Sequence, residues 1–392
     1  MMNRNGVPTG GRIRQGLLIG LAIASVVTMV QCSSGDGDGG GTTTAPPTGR
    51  SYSQFAYTAN FESGNVSMFG VDSTGALVSL GAPLPAGRLP HTINVDPRGR
   101  FAYASNHEEN FLSGYRINSR TGILTPIPGP LTIGDSVHAS VFDRTGRFLY
   151  VINGLPGGAT PDSVITAYTV NANGTLTAIG APLSAGTHAH NLTVDPGNTF
   201  VYVASDTSNN IFVYAIDPAT GALTAVGGPV AGFDRPAAVA VHPLGRFAYV
   251  VNEGDIVQIF DIDQATGALT PNALGATIGT NGTRPHSIAI DTTGSFLYVG
   301  NIDSNNISGY QIVQATGELV PLPGSPFPTG LQPNDLTMHP GGGFVYVANY
   351  ASDNISRLAI DSATGDLTPS GTFPDPTVVD LDGPSGLGIT NF

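Results

Sequence analysis

The 392-residue chain holds 53 glycines and 30 prolines, no tryptophan and only 11% charged residues, a composition of many turns rather than of long helices. Its formal charge is −13 and arginine supplies every one of its 15 fixed basic groups, so it lacks the basic patch that nucleic acid or an anionic membrane surface requires. Cys32 is the single cysteine, which excludes an internal disulfide framework and a thiolate-rich metal site.

Read from the start, residues 1–31 have the pattern of a signal peptide. Arg4, Arg12 and Arg14 precede the apolar run GLLIGLAIASVVTMV from Gly16 to Val30, which is shorter than the ~20 residues of a membrane span. Cys32 comes directly after and opens a Gly/Ser/Thr/Pro stretch. A lone cysteine in that place resembles a bacterial lipoprotein cleavage site, although Met29, Val30 and Gln31 depart from its usual small residues. The expectation is lipidation of Cys32, a flexible tether over residues 32–52 and an exported domain over residues 53–392. The protein would then be a cell-envelope lipoprotein, periplasmic or at the outer surface, touching the membrane through its lipid alone. An uncleaved anchor or an ordinary cleavage nearby are the alternatives.

From Phe55 onward the chain repeats itself. The phrases FAYTAN, FAYASN, FLYVIN, FVYVAS, FAYVVN, FLYVGN and FVYVAN begin at Phe55, Phe101, Phe148, Phe200, Phe247, Phe296 and Phe344. Their spacing of 46 to 52 residues, with β-branched and aromatic content, predicts propeller blades. Each copy divides into four short strands. The F-x-Y strand comes first, then a second strand such as NIFVYAID, then a hairpin with glycine at Gly75, Gly122, Gly174, Gly221, Gly267, Gly317 or Gly365. A glycine there in every copy predicts a positive φ. A third strand comes next, and a fourth such as HTINVD or HSIAID. Because the chain opens on an F-x-Y strand and ends on GPSGLGIT, the last strand should complete the first blade. The prediction is an all-β, seven-bladed propeller of four-stranded blades.

The phrases HAHNLTVDP, AVAVHPLGRFAYVVNE and HSIAIDTTGSFLYVGN resemble the seven-bladed lactonase family, which includes 6-phosphogluconolactonase and carboxymuconate cyclase. The YVAN-type phrases also resemble surface propellers with YVTN repeats. The lactonase resemblance spans all seven repeats and implies a lactone hydrolase acting at the central funnel. It carries His190 and the Asn252–Glu253 pair as family-like positions. Ala237 and Ile302 stand where the family commonly has arginine.

One position of the repeat concentrates chemistry. Six residues before the turn that ends the strand lie His91, His138, His190, Ala237, His286, Asn334 and Ser385. Sixteen residues on, at the end of the paired strand, lie His107, Gly154, Asp206, Glu253, Ile302 and Tyr350. Read as cross-strand neighbours, His190 faces Asp206 with His188 beside it, and Glu253 faces the gap at Ala237. Arg88, Arg235 and Arg284 precede the same strands, while Arg98, Arg100, Arg144, Arg147 and Arg246 fall at the opposite end.

Imidazoles with guanidiniums suit a small anionic or lactone ligand. Glu253 or His190 would act as base, Asp206 would orient His190, and an arginine would meet the oxyanion. His188, Arg235, Arg284, His286, Arg88, His91, His138 and Asn334 would bind the ligand. These motifs call for no cofactor, and no metal is assigned; His188, His190 and Asp206 are the donors of an alternative zinc-type site. In the bland reading the histidines serve only to hydrogen-bond a neighbouring blade. His107, His242 and His339 carry no special expectation, and the asparagines Asn60, Asn106, Asn153, Asn252, Asn301 and Asn349 read as turn formers. The competing function is a non-catalytic envelope propeller that binds a ligand or a protein partner.

Overall fold

In the computed structural model the described residues are 52–390, apart from 130, 135, 155–161 and 374–380. The signal segment, Cys32 and the tether up to residue 51 lie outside the described residues. The repeats form seven antiparallel sheets in a ring. Each innermost strand neighbours the next: Pro90–Val95, Val137–Phe142, Ala189–Val194, Pro236–Val241, Pro285–Ile290, Pro333–Met338 and Pro384–Ile389. Each pairs outward with an F-x-Y strand, and that strand with the one after it. The ring closes as expected. Pro384–Ile389 lies against Gln54–Asn60 in the register Tyr57↔Gly388 and Thr58↔Leu387, so neither end of the chain leaves an open inner edge. Five blades add a short outer strand, such as Leu84–Pro85 or Phe327–Pro328, that the repeat pattern does not predict.

A single device joins the blades. The hairpin glycine has a positive φ in all seven copies, from +71° to +85°, and a Cβ there would land on a phenylalanine ring of another blade's F-x-Y strand. Gly122 abuts Phe55 in this way, and Gly75 abuts Phe344. The tyrosine of the same phrase donates its hydroxyl to that glycine's carbonyl: Tyr57 to Gly122 at 2.8 Å, Tyr298 to Gly365 at 2.7 Å and Tyr346 to Gly75 at 2.6 Å. Alternation along the strand thus puts two aromatic side chains on the same glycine. Tyr150 is the exception, since its hydroxyl is buried without a partner among the described residues.

The asparagines that end the F-x-Y strands are more than turn formers. Asn60, Asn301 and Asn349 are fully buried. Each donates through Nδ2 to an asparagine and a serine of the next strand, as Asn301 does to Asn306 at 2.8 Å and Ser308 at 2.9 Å.

Candidate functional site at the funnel mouth

The innermost strands all carry a β-bulge at the same place. In the strand of His91, Pro90 pairs with Asn106 and Thr92 with Ser105, so His91 has no opposite number. The same shift isolates His138, His190, Ala237, His286, Asn334 and Ser385. A bulge adds one residue to a strand and re-aims its side chain. Repeated seven times, it brings this position to the channel wall in every blade but that of His138. One residue before each strand the backbone turns left-handed: Leu89, Ser136, His188, Arg235, Arg284, Gln332 and Gly383 have φ from +48° to +63°. Their carbonyls accept the N–H of His107, Gly154, Asp206, Glu253, Ile302, Tyr350 and Phe61 at 2.8–3.2 Å.

That geometry corrects the expected pairing. The facing residue lies eighteen positions on, as from His188 to Asp206, and not sixteen. Nδ1 of His188 meets Asp206 Oδ1 at 2.8 Å, whereas the expected partner, His190, makes no such contact. Glu253 likewise faces Arg235 rather than a gap at Ala237, with Nη1 at 2.8 Å from Oε2. Arg235 also reaches Asp206 at 4.0 Å. His188, Asp206, Arg235 and Glu253 therefore form one run along two adjoining blades. Arg284 pairs with Asp303 at 3.3 Å, and Arg88 pairs with Glu108 at 2.6 Å away from that run.

Six of the eight histidines gather inside the mouth. His190 lies between His91 and His286, with ring centroids 5.5 and 4.8 Å away. His138 lies between His107 and His188, at 4.6 and 5.2 Å. His107, which carried no expectation from sequence, belongs to the group because it faces Leu89 across the blade. The signal for it is the constant eighteen-residue offset. His286 Nδ1 is 3.1 Å from the Asn334 carbonyl, and Asn334 donates to the Ser385 carbonyl at 2.8 Å. The bland reading of blade-to-blade hydrogen bonds therefore holds for His286, and for His91, whose ring bonds to the His138 backbone.

Electrostatics divide the group. Burial, reinforced by the neighbouring imidazoles, pushes the pKa of His91 and His138 down to about 3 and lowers His107 and His190. Burial also lowers His286. His188 moves the other way because its hydrogen bond to Asp206 favours the imidazolium. Burial works against ionisation of Asp206, but the bond and charge of His188 outweigh it and lower its pKa. Glu253 is raised: its side chain is only 17% exposed, and burial prevails over Arg235 and Arg284. A carboxylate with raised basicity beside a guanidinium can accept a proton from water while the cation meets a developing anion.

A cavity of about 590 Å³ runs along the channel, with His91, His190 and His286 in its wall at the mouth end and Arg144 toward the opposite turns. Asp206, Glu253, His107, His138 and His188 do not line it. The ionised run and the trio around His138 thus stand off the main hollow, while His91, His190 and His286 border it. Asp335 projects into that hollow, where burial raises its carboxyl to about 6 although the backbone N–H groups of Leu336 and Leu387 bond to it.

The family described as "Lactonase, 7-bladed beta-propeller" matches residues 49–141, 136–233 and 225–330. No curated protein matches the chain in sequence. Among solved structures, the periplasmic gluconolactonase PpgL of Pseudomonas aeruginosa is 21% identical, with a TM-score of 0.71 over 86% of this chain and 99% of its own. A candidate 6-phosphogluconolactonase of Bacteroides uniformis is 20% identical, with a TM-score of 0.71 over 86% of this chain and 100% of its own. The hydrazine synthase of Kuenenia stuttgartiensis is also similar, 19% identical with a TM-score of 0.60 over 77% of this chain and 91% of that one. At these identities the likeness shows the shared fold and leaves activity to the site.

Proposed function

Since this chain belongs to the seven-bladed β-propeller lactonase family, we propose that its funnel mouth hydrolyses a small anionic or sugar lactone. The observation that carries the reading is the run His188–Asp206–Arg235–Glu253, in which one guanidinium touches a basic carboxylate at 2.8 Å and a second carboxylate at 4.0 Å. Glu253 takes a proton from water as the water oxygen bonds to the ring carbonyl carbon. Arg235 meets the charge gathering on the carbonyl oxygen, and Arg284 holds an anionic substituent of the substrate. When the ring C–O bond breaks, the proton on Glu253 passes to the departing alkoxide, leaving a hydroxy acid and a carboxylate ready for the next cycle. Asp206 holds His188, not His190, in one orientation. Burial and the surrounding imidazoles lower the basicity of His190, so in this reading it shapes the site and Glu253 takes the proton.

The test is a panel of sugar and dicarboxylate lactones assayed with the wild type, Glu253→Gln, Arg235→Gln and His190→Ala. Turnover reduced by about 100-fold in Glu253→Gln, with smaller losses in His190→Ala, supports the reading. No turnover of any lactone, or equal turnover in wild type and Glu253→Gln, overturns it. The competing reading is ligand capture without turnover in the cell envelope. One observation favours it: Ala237 and Ile302, both buried at the mouth, stand where the family commonly has arginine.

Export through residues 1–31 and lipidation of Cys32 belong to the same proposal and rest on the sequence pattern alone. Radiolabelled palmitate should enter the wild type and not Cys32→Ala, and equal labelling of the two would remove the anchor.

A further inference from the structure

The histidines outside one trio are held by backbone groups or packed among rings: His91 bonds to the His138 backbone, and His190 lies between the His91 and His286 rings. His242, His286 and His339 each have a backbone partner: Nε2 of His242 lies 3.0 Å from the Gly294 carbonyl, and His339 Nδ1 accepts the Gly341 N–H at 2.9 Å. The trio His107, His138 and His188 is different. No hydrogen bond reaches the His107 imidazole among the described residues, and His138 has only a 3.4 Å approach to Ser136 Oγ. The Ser136 hydroxyl is already committed to the His107 carbonyl at 2.8 Å, so it leaves the lone pair of His138 free. One ring nitrogen from each of the three lies within 4.8 Å of the other two. They come from two neighbouring blades and from the closing end of a third, so nothing in the local sequence required them to meet.

We propose that His107, His138 and His188 form a binding site for a zinc-type divalent transition metal, with Asp206 fixing His188 from behind. Zinc–nitrogen bonds of 2.0–2.1 Å in a tetrahedron place ligand nitrogens roughly 3.3 Å apart. The trio must therefore close by about 1.5 Å at most, within reach of rotation about the side-chain torsions. Three imidazoles suit zinc, copper, nickel or cobalt far better than calcium or magnesium, which demand oxygen. The contact from Asp206 to Nδ1 of His188 is the carboxylate–histidine arrangement that orients a ligand ring and leaves Nε2 for the metal. Three protein ligands leave a fourth position for water or a ligand. The donors differ from the His188, His190 and Asp206 set that sequence spacing suggests. His190 is turned toward His91 and His286, and Asp206 is occupied in holding His188.

The experiment uses the full-length protein, purified without a polyhistidine tag and stripped with a chelator. Zinc is titrated by calorimetry, and cobalt by its visible absorption. We expect saturable uptake of a single equivalent and an intense tetrahedral cobalt spectrum. Affinity should fall by at least about 100-fold in His138→Ala and in His188→Ala, and by ~10–100-fold in Asp206→Asn. His339→Ala, outside the mouth, should bind as the wild type does. Circular dichroism of each variant without metal checks its fold, and His107→Asn replaces any variant that fails to fold. Absence of saturable zinc and cobalt uptake overturns the proposal, as does uptake undiminished in folded His138→Ala. These readouts do not depend on lactone turnover, so this site and the lactonase reading can fail separately.

Discussion

Replacing Tyr346 by phenylalanine removes one hydroxyl at the junction where the last full repeat meets the first. The Tyr346 hydroxyl donates to the Gly75 carbonyl at 2.6 Å, across 271 residues of sequence, and the tyrosine is fully buried. Deleting it forfeits a hydrogen bond worth about 1 kcal/mol net and strands a buried carbonyl, so the loss should be about 1–3 kcal/mol. The protein supplies its own control. Tyr150 occupies the same repeat position with the same burial, but its hydroxyl has no partner among the described residues. Tyr150→Phe removes a desolvated group that gives nothing back, so its effect should lie within about 0.5 kcal/mol of zero or be stabilising. Urea unfolding monitored by fluorescence and circular dichroism gives both midpoints on one scale, and the slopes should match the wild type. Equal losses in the two variants, or a larger loss in Tyr150→Phe, would refute the idea that these hydroxyls join blade to blade.

The same geometry sets three further outcomes. Gly122→Ala combines a φ of +71° with a collision against Phe55 and should lower stability by about 1–3 kcal/mol in the same unfolding assay; an unchanged midpoint would show that the junction yields freely. In the lactone assay, kcat/KM should fall on acidification with a midpoint above the ordinary glutamate value of 4.5, because burial raises Glu253 and its ionised form is the base. That acidic limb should be missing from the residual activity of Glu253→Gln, and a limb present in both assigns it to another group. Asp335 has a folded-state pKa of about 6, raised from 3.8 by burial. Its charge therefore costs stability, progressively between those two values as pH rises and constantly above. Asp335→Asn should accordingly stabilise the protein at pH 8 but not at pH 3, seen as a raised thermal midpoint, by less than the ~3 kcal/mol that two pKa units represent, since the channel leaves part of the carboxyl open. A midpoint difference independent of pH would contradict it.

The repeat architecture was legible because it is written in residues whose work is local. Seven aromatic phrases and seven hairpin glycines fix the blades, and the terminal strand type fixes the closure. The mouth was legible only in part. Sequence spacing correctly gathered His91, His138, His190 and His286 at one repeat position. It assumed unbroken pairing, however, and a bulge is invisible when it recurs in every copy, because the copies stay aligned with one another. The one-residue bulge and the left-handed residue before it changed the partner of Asp206 from His190 to His188 and that of Glu253 from Ala237 to Arg235. The same shift drew in His107, whose own repeat position otherwise holds phenylalanine, glycine, two acids, isoleucine and tyrosine. Which carboxylates become basic was equally hidden, since Asp335 and Glu253 owe their raised pKa values to burial in the assembled ring.

The left-handed residue ahead of each inner strand has an evolutionary corollary. Its carbonyl is held in all seven blades by a main-chain bond that asks nothing of the side chain beyond tolerance of a left-handed backbone, which excludes proline and disfavours β-branched residues. Its occupants here are leucine, serine, histidine, two arginines, glutamine and glycine. Selection can therefore exchange these side chains, and those facing them, one sector at a time without disturbing the ring. Specificity in such a protein can drift while its scaffold stays fixed, and transplanting seven pairs onto a sister ring should carry ligand preference with them.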